Sequence, residues 1–164
     1  MDAGKQEIGH HMESFELLKK VKLFDGLSDD QLKIFAEKMT EEQFPPKAVI
    51  IEEGTEGSAL YIVREGKVKI TKTEGEVEME IASLGAGEAF GDMSMIEGNV
   101  TSANVVSFND VNCLAISRQF FRDIIGKHVE IAAVVQGNLN SILAERLRAT
   151  SAQLAACRQE LEMY

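Results

Sequence analysis

Positive charge is what this chain is short of: 17 Lys and Arg stand against 27 Asp and Glu, a formal net charge of −10. Duplex binding rests on neutralising many phosphates with Lys and Arg, so a large nucleic-acid surface is excluded, while a small anion needs only a local pocket. No apolar run approaches the roughly 20 residues that span a bilayer. The N-terminus MDAGKQEIGHHMES lacks the apolar core of a signal peptide, so a cytoplasmic protein with no membrane partner is expected. Cys113 and Cys157 form neither a disulfide framework nor a C-x-x-C pair; reduced thiols are expected, with Cys113 in the core. His10, His11 and His128 all lie outside the strand-rich stretch from Gln43 to Ser117, so the His and carboxylate ligands of a cupin-type metal enzyme do not assemble. With no Walker loop, no nucleophile elbow and no His near Cys113 in sequence, no catalytic residues, metal site or cofactor are expected.

What is present suffices for one core. With 45% hydrophobic residues, 164 positions suggest a single domain with an added helix. Phe15, Leu17, Leu18, Val21 and Phe24 form a short helical stripe ending at Gly26. Ser28-Asp29-Asp30-Gln31 fits a capping box, with Leu27 and Leu32 as its hydrophobic staple. From Gln43 to Ser117 short β runs alternate with glycine and acidic turns, the pattern of a small antiparallel barrel or double-sheet roll. Pro45 and Pro46 confine its start to an edge or a loop. The clearest hairpin joins Val68 and Ile70 to Val77, Met79 and Ile81 across a turn at 73–76. Its charges predict Lys69 opposite Glu78 and Lys67 opposite Glu80, with Val68 meeting Met79 inside. Ser117 caps a further helix, which Phe120, Phe121, Ile124 and Ile125 bury and Gly126 ends.

The stretch LGAGEAFGDMSMIEGNVTSANV, residues 84–105, organises the rest: a glycine-punctuated turn, one helical turn and a hydroxyl-rich strand. Orphan N–H groups after Gly91, with the positive end of a helix dipole behind them, suit a phosphate or carboxylate. Asp92 would repel that anion unless it faces a hydroxyl such as a ribose 2′-OH, so a sugar phosphate is the economical ligand. From Val129 onward the chain runs without proline, and Leu143, Leu147, Thr150, Leu154, Cys157, Leu161 and Tyr164 recur at spacings of four and three. That narrow heptad seam predicts pairing with a second copy about a two-fold axis.

Phe90-Gly91-Asp92-Met93-Ser94-Met95-Ile96 with Thr101-Ser102-Ala103-Asn104-Val105 resembles the phosphate-binding cassette of the cyclic-nucleotide-binding domain family, F-G-E-x-A-L followed by R-(S/T/A)-A-x-V. LFDGLSDDQLKIFAEKM resembles the family's helical lead-in, and Phe44, Ile50, Gly54, Tyr61, Ile62, Gly66 and Val68 its barrel pattern. Three departures from it stand out. Asp92 replaces the ribose-binding glutamate, Thr101 the arginine that pairs with the cyclic phosphate, and Lys47 a turn glycine.

The resemblance implies an α+β, mainly β, protein: an antiparallel β-roll of jelly-roll type, flanked by N-terminal helices and a long C-terminal dimerisation helix. It implies a flexible stretch at 1–13, the nucleotide-binding roll at 14–126 and the dimerisation helix at 127–164. The implied ligand is cAMP. Gly91, Asp92, Met93, Ser94, Thr101, Ser102 and Ala103 would surround its sugar phosphate, and Arg146 would steady Asp92. Aligned on the long helix of the bacterial catabolite activators, Thr150 and Ser151 would read the adenine, one of them from the partner subunit of a homodimer. The family's transcription factors carry a helix-turn-helix after this helix; none follows among these residues, so no operator binding through this chain is expected. The alternative is a dimerising module of the same fold that has lost its nucleotide together with the arginine.

Overall fold

The computed structural model describes residues 13–92 and 100–164. Helix α1 runs through 13–18 and a 3-10 turn through Lys22–Phe24, after which Gly26 takes φ +87°. Glu13, expected within the flexible stretch, is already helical and pairs with Arg64 at 2.6 Å. Helix α2, Asp29–Ala36, opens as expected: the Ser28 hydroxyl accepts from the Gln31 N–H while the Gln31 side chain accepts from the Ser28 N–H.

Among the described residues eight strands follow: β1 Thr40–Phe44, β2 Val49–Ile51, β3 Ala59–Glu65, β4 Val68–Glu74, β5 Val77–Leu84, β6 Ala89–Phe90, β7 Asn104–Ser107 and β8 Val111–Ser117. They form two antiparallel sheets, β1-β8-β3-β6 and β2-β7-β4-β5. The β-roll with flanking helices is thus the observed fold. Tyr61, Val63, Val68, Phe90, Val105 and Cys113 fill the space between the sheets. A second cluster packs Phe24, Phe35 and Phe121 with Ile131, Val135 and Leu139 against Leu60, Ile62 and Leu114. β1 precedes Pro45 and Pro46 on an edge, where a residue without an N–H leaves no ladder position unmet.

The hairpin differs from expectation. Gly75 at φ +64° and Glu76 make a two-residue turn of the type II′ pattern, with Glu74 opposite Val77, because a left-handed first position matches the twist of the two strands. The turn sets the pairs from Glu74 with Val77 to Thr71 with Glu80, and an irregularity between Ile70 and Thr71 then shifts the ladder by one residue, so that Lys69 pairs with Ser83 and Val68 with Leu84. Lys69 reaches Glu80 at 3.3 Å instead of sitting opposite Glu78. Val77, Met79 and Ile81, expected inside, are exposed on an edge strand.

Helix α3 spans Arg118–Lys127, with the Ser117 hydroxyl accepting from the Phe120 N–H. It buries Phe121 and Ile124, leaves Phe120 exposed, and ends at His128 rather than at Gly126. Helix α4 then runs unbroken over Val129–Glu162. Ile131, Val135 and Leu139 anchor its first half, and the Asn138 amide donates to the carbonyls of Leu23 and Asp25. Its second half leaves Leu147, Leu154 and Leu161 exposed. Among the described residues no helix is long and apolar enough to cross a membrane.

Candidate functional site

A cavity of about 990 Å³ opens between the β2-β7-β4-β5 sheet, the cassette and α4. Ile51, Ile70, Leu84, Phe90 and Val105 give it an apolar floor; Gly91, Asp92, Thr101, Ser102 and Ala103 form its cassette wall. Arg146, Ala149, Thr150, Gln153, Leu154 and Cys157 project from α4, every third or fourth residue on one face. An apolar floor with a few convergent polar groups is the usual makeup of a small-molecule site.

Gly91 is required at its place twice over. Its φ is +82°, and a Cβ there would stand 2.6 Å from the Ala59 carbonyl oxygen. Asp92 next to it is buried, and Arg146 crosses from α4 to meet it: Nη1 lies 3.2 Å from Oδ2 and 3.4 Å from Oδ1. The second guanidinium nitrogen of Arg146 donates to the Ala89 carbonyl at 3.1 Å. One side chain therefore ties the long helix to both β6 and the cassette.

Thr101 lines the cavity, yet its polar groups serve a loop. The hydroxyl donates to the Glu52 carbonyl at 2.6 Å and accepts from the Thr55 N–H at 3.2 Å. Its backbone N–H donates to the Thr55 carbonyl, and its carbonyl accepts from the Gly54 N–H. This pairing with the loop, in place of a strand, is why β7 begins at Asn104 and not at Thr101. The hydroxyl has one proton and Glu52 holds it, so Thr101 has no side-chain donor left for a phosphate.

Ser102 and Ala103 stand on the cavity wall. Thr150 faces the cavity of its own chain, with its hydroxyl donating back to the Arg146 carbonyl at 2.9 Å. Ser151, about 100° further round the helix, is exposed and outside the cavity lining. Met93 and Ser94, the remaining expected cassette positions, lie outside the described residues.

The sequence reading did not name Gln153, Leu154 or Cys157 as cavity residues, although the helical period from Arg146 points to them. It also passed over Lys72, whose Nζ donates to the Ser102 carbonyl at 2.8 Å and lies 3.3 Å from a Glu53 oxygen. The Thr73 backbone N–H, and after it Lys72, hold the Glu53 carboxyl below its usual range. Cys113 lies between the sheets, where burial, with Glu42 adding to it, pushes its thiol up to about 12. A thiol so held stays protonated and is no nucleophile.

Residues 41–128 match the family model described as cyclic nucleotide-binding domain. The chain is 37% identical to human cGMP-dependent protein kinase 2 over 129 residues, 75% of its own length and 17% of the kinase's. It is 33% identical to the cyclic AMP receptor protein of Thermus thermophilus over 138 residues, 84% of the chain and 62% of that protein. Among solved structures, a cyclic nucleotide-binding domain from Methylobacillus flagellatus superimposes with a TM-score of 0.77 at 25% identity, covering 90% of this chain and 83% of the other. The chain spans less than two thirds of either of those two sequence relatives, and the kinase is matched over its binding domain alone. On the family model and these identities together, the chain belongs to the cyclic nucleotide-binding domain family, whose members are regulatory and generally non-catalytic.

Proposed function

We propose that the chain is a cAMP sensor that acts as a homodimer in the cytoplasm. The observation that carries this reading is the Arg146 to Asp92 pair at the wall of an apolar cavity. It presents a carboxylate beside Gly91, where a ribose 2′-OH donates a hydrogen bond, and it fastens the helix whose Thr150 reaches the same cavity. In this reading the N–H groups after Gly91, including those of Met93 and Ser94, and the hydroxyl of Ser102 receive the cyclic phosphate. Ala103 packs against it, and Thr150 of one subunit and Ser151 of the other flank the base. The exposure of Ser151 on a different side of α4 from Thr150 supports that division. A ligand touching cassette and helix together shifts the helix between two settings only as far as its affinity for the two differs.

The test is calorimetric titration of the purified protein with cAMP and cGMP, beside Ser151→Ala and Thr101→Arg. The expected result is saturable cAMP binding, weaker in Ser151→Ala and tighter in Thr101→Arg. No heat up to millimolar ligand, with none restored by Thr101→Arg, would overturn the reading. The second reading, a dimerisation module that has lost its nucleotide, then takes its place, and the Thr101 hydroxyl bonded into the 52–55 loop is the observation in its favour.

A further inference from the structure

A sugar phosphate in this cavity carries a negative charge; Arg146 is held by Asp92, Lys69 by Glu80 and Lys72 by Glu53, and of the two lysines it is Lys72 whose ammonium also bonds to the cassette. Lys72 is placed differently. Along β4, Val68 is buried between the sheets and Ile70 lines the cavity; Lys72 comes two residues later on the same face of the strand, outside the cavity lining, and meets it through Ser102, which does line it. Its ammonium already touches the cassette, at 2.8 Å from the carbonyl of Ser102. Glu53 holds it from the other side at 3.3 Å, and that carboxylate is itself fixed by the Thr73 N–H. The lysine is thus aimed at the cassette by a carboxylate, while its partner on the cassette is a neutral carbonyl.

We propose that Lys72 supplies the cation for the cyclic phosphate, in place of the arginine that the family carries at the position of Thr101. The proposal rests on the cyclic-nucleotide reading above. An ammonium on a four-carbon stem is a point charge with three rotatable donors, so it exchanges the Ser102 carbonyl for a phosphate oxygen without a change of backbone. Glu53 stays on the Thr73 N–H throughout, which keeps the lysine from swinging out to solvent.

The test is cAMP titration of the wild-type chain, Lys72→Met, Lys72→Arg and the double variant Lys72→Met/Thr101→Arg. Loss of a charge-assisted hydrogen bond predicts affinity about ten- to a hundred-fold lower in Lys72→Met. Lys72→Arg stays within a few-fold of wild type, and Thr101→Arg restores binding to Lys72→Met. Wild-type affinity in Lys72→Met overturns the proposal and leaves the cAMP reading standing. So does a loss that Thr101→Arg fails to restore, since that marks damage to the cassette rather than a missing charge. A wild-type chain that binds no cAMP overturns the proposal, and overturns the cAMP reading with it when Thr101→Arg restores no binding.

Discussion

Arg146 and Asp92 stand 54 positions apart in the chain and meet at 3.2 Å, the arginine 37% exposed and the aspartate 6%. Such a pair is asymmetric. Removing the arginine strips the cation from a buried carboxylate, whereas the guanidinium itself keeps part of its hydration. Arg146→Leu is expected to destabilise the protein by about 1–3 kcal/mol, below the cost of breaking a fully buried pair because solvent already screens one partner. Urea unfolding checks this. Unchanged stability would mean that the contact holds nothing.

Thr101→Arg should move stability and binding in opposite directions. The threonine hydroxyl bridges the Glu52 carbonyl and the Thr55 N–H, and its loss is expected to cost about 1–3 kcal/mol. The new guanidinium meanwhile tightens cAMP. Thr101→Ala separates the two effects, losing the stability without the gain in affinity, as thermal unfolding and calorimetry will read.

Lys47 takes φ +63°. A side chain in that region costs roughly 1–2 kcal/mol, offset in part by the greater freedom of a glycine in the unfolded chain. Lys47→Gly is therefore expected to raise stability by about 0.5–1 kcal/mol. A lower melting temperature in this variant would show that the lysine makes contacts that outweigh its strain.

Cys113 and Tyr61 both have their ionisation pushed upward, by burial first and by Glu42 next. The sign follows from proton counts. Between the unfolded thiol value of about 9 and the folded value of about 12 the native state holds more protons than the unfolded one, so stability falls as pH rises through that window. Tyr61 adds to the same loss. Thiol labelling at neutral pH should modify the exposed Cys157 and spare Cys113 until the protein is unfolded. Two reactive thiols in the native state would contradict the buried placement.

Leu147 and Leu161 are 68% and 76% exposed on α4 and stand outside the cavity. If they form the seam between two copies, Leu147→Glu with Leu161→Glu converts a sedimenting dimer into a folded monomer. A wild-type chain that sediments as a monomer at micromolar concentration would defeat the homodimer.

Much of the fold was legible because its signals are local. The capping box at Ser28 and Gln31 and the cap at Ser117 each involve residues within one turn of each other, and they appear where the sequence placed them. Lys47, in the place of a turn glycine, keeps the left-handed backbone rather than a geometry open to a side chain. Charge pairing between Lys67, Lys69, Glu78 and Glu80 points to a register that the Gly75 turn and the irregularity between Ile70 and Thr71 override. A two-residue turn fixes the pairs next to it and the irregularity beyond Thr71 shifts the rest by one, whereas an exposed ion pair contributes about a few tenths of a kcal/mol and adjusts by reaching diagonally, as Lys69 does to Glu80.

The cassette and its glycine at Gly91 are properties of the sequence, since no other residue takes φ +82° within 2.6 Å of the Ala59 carbonyl without strain. The length of α4 is too, from a run without proline. The approach of Arg146 to Asp92 was legible by resemblance only, because no spacing rule spans 54 residues. Tertiary structure alone decided that the Thr101 hydroxyl turns to Glu52, 49 positions away, and that Lys72 reaches Ser102, 30 positions away. Side-chain period and turn chemistry act over a few residues, while these contacts depend on which strands the closed roll brings side by side.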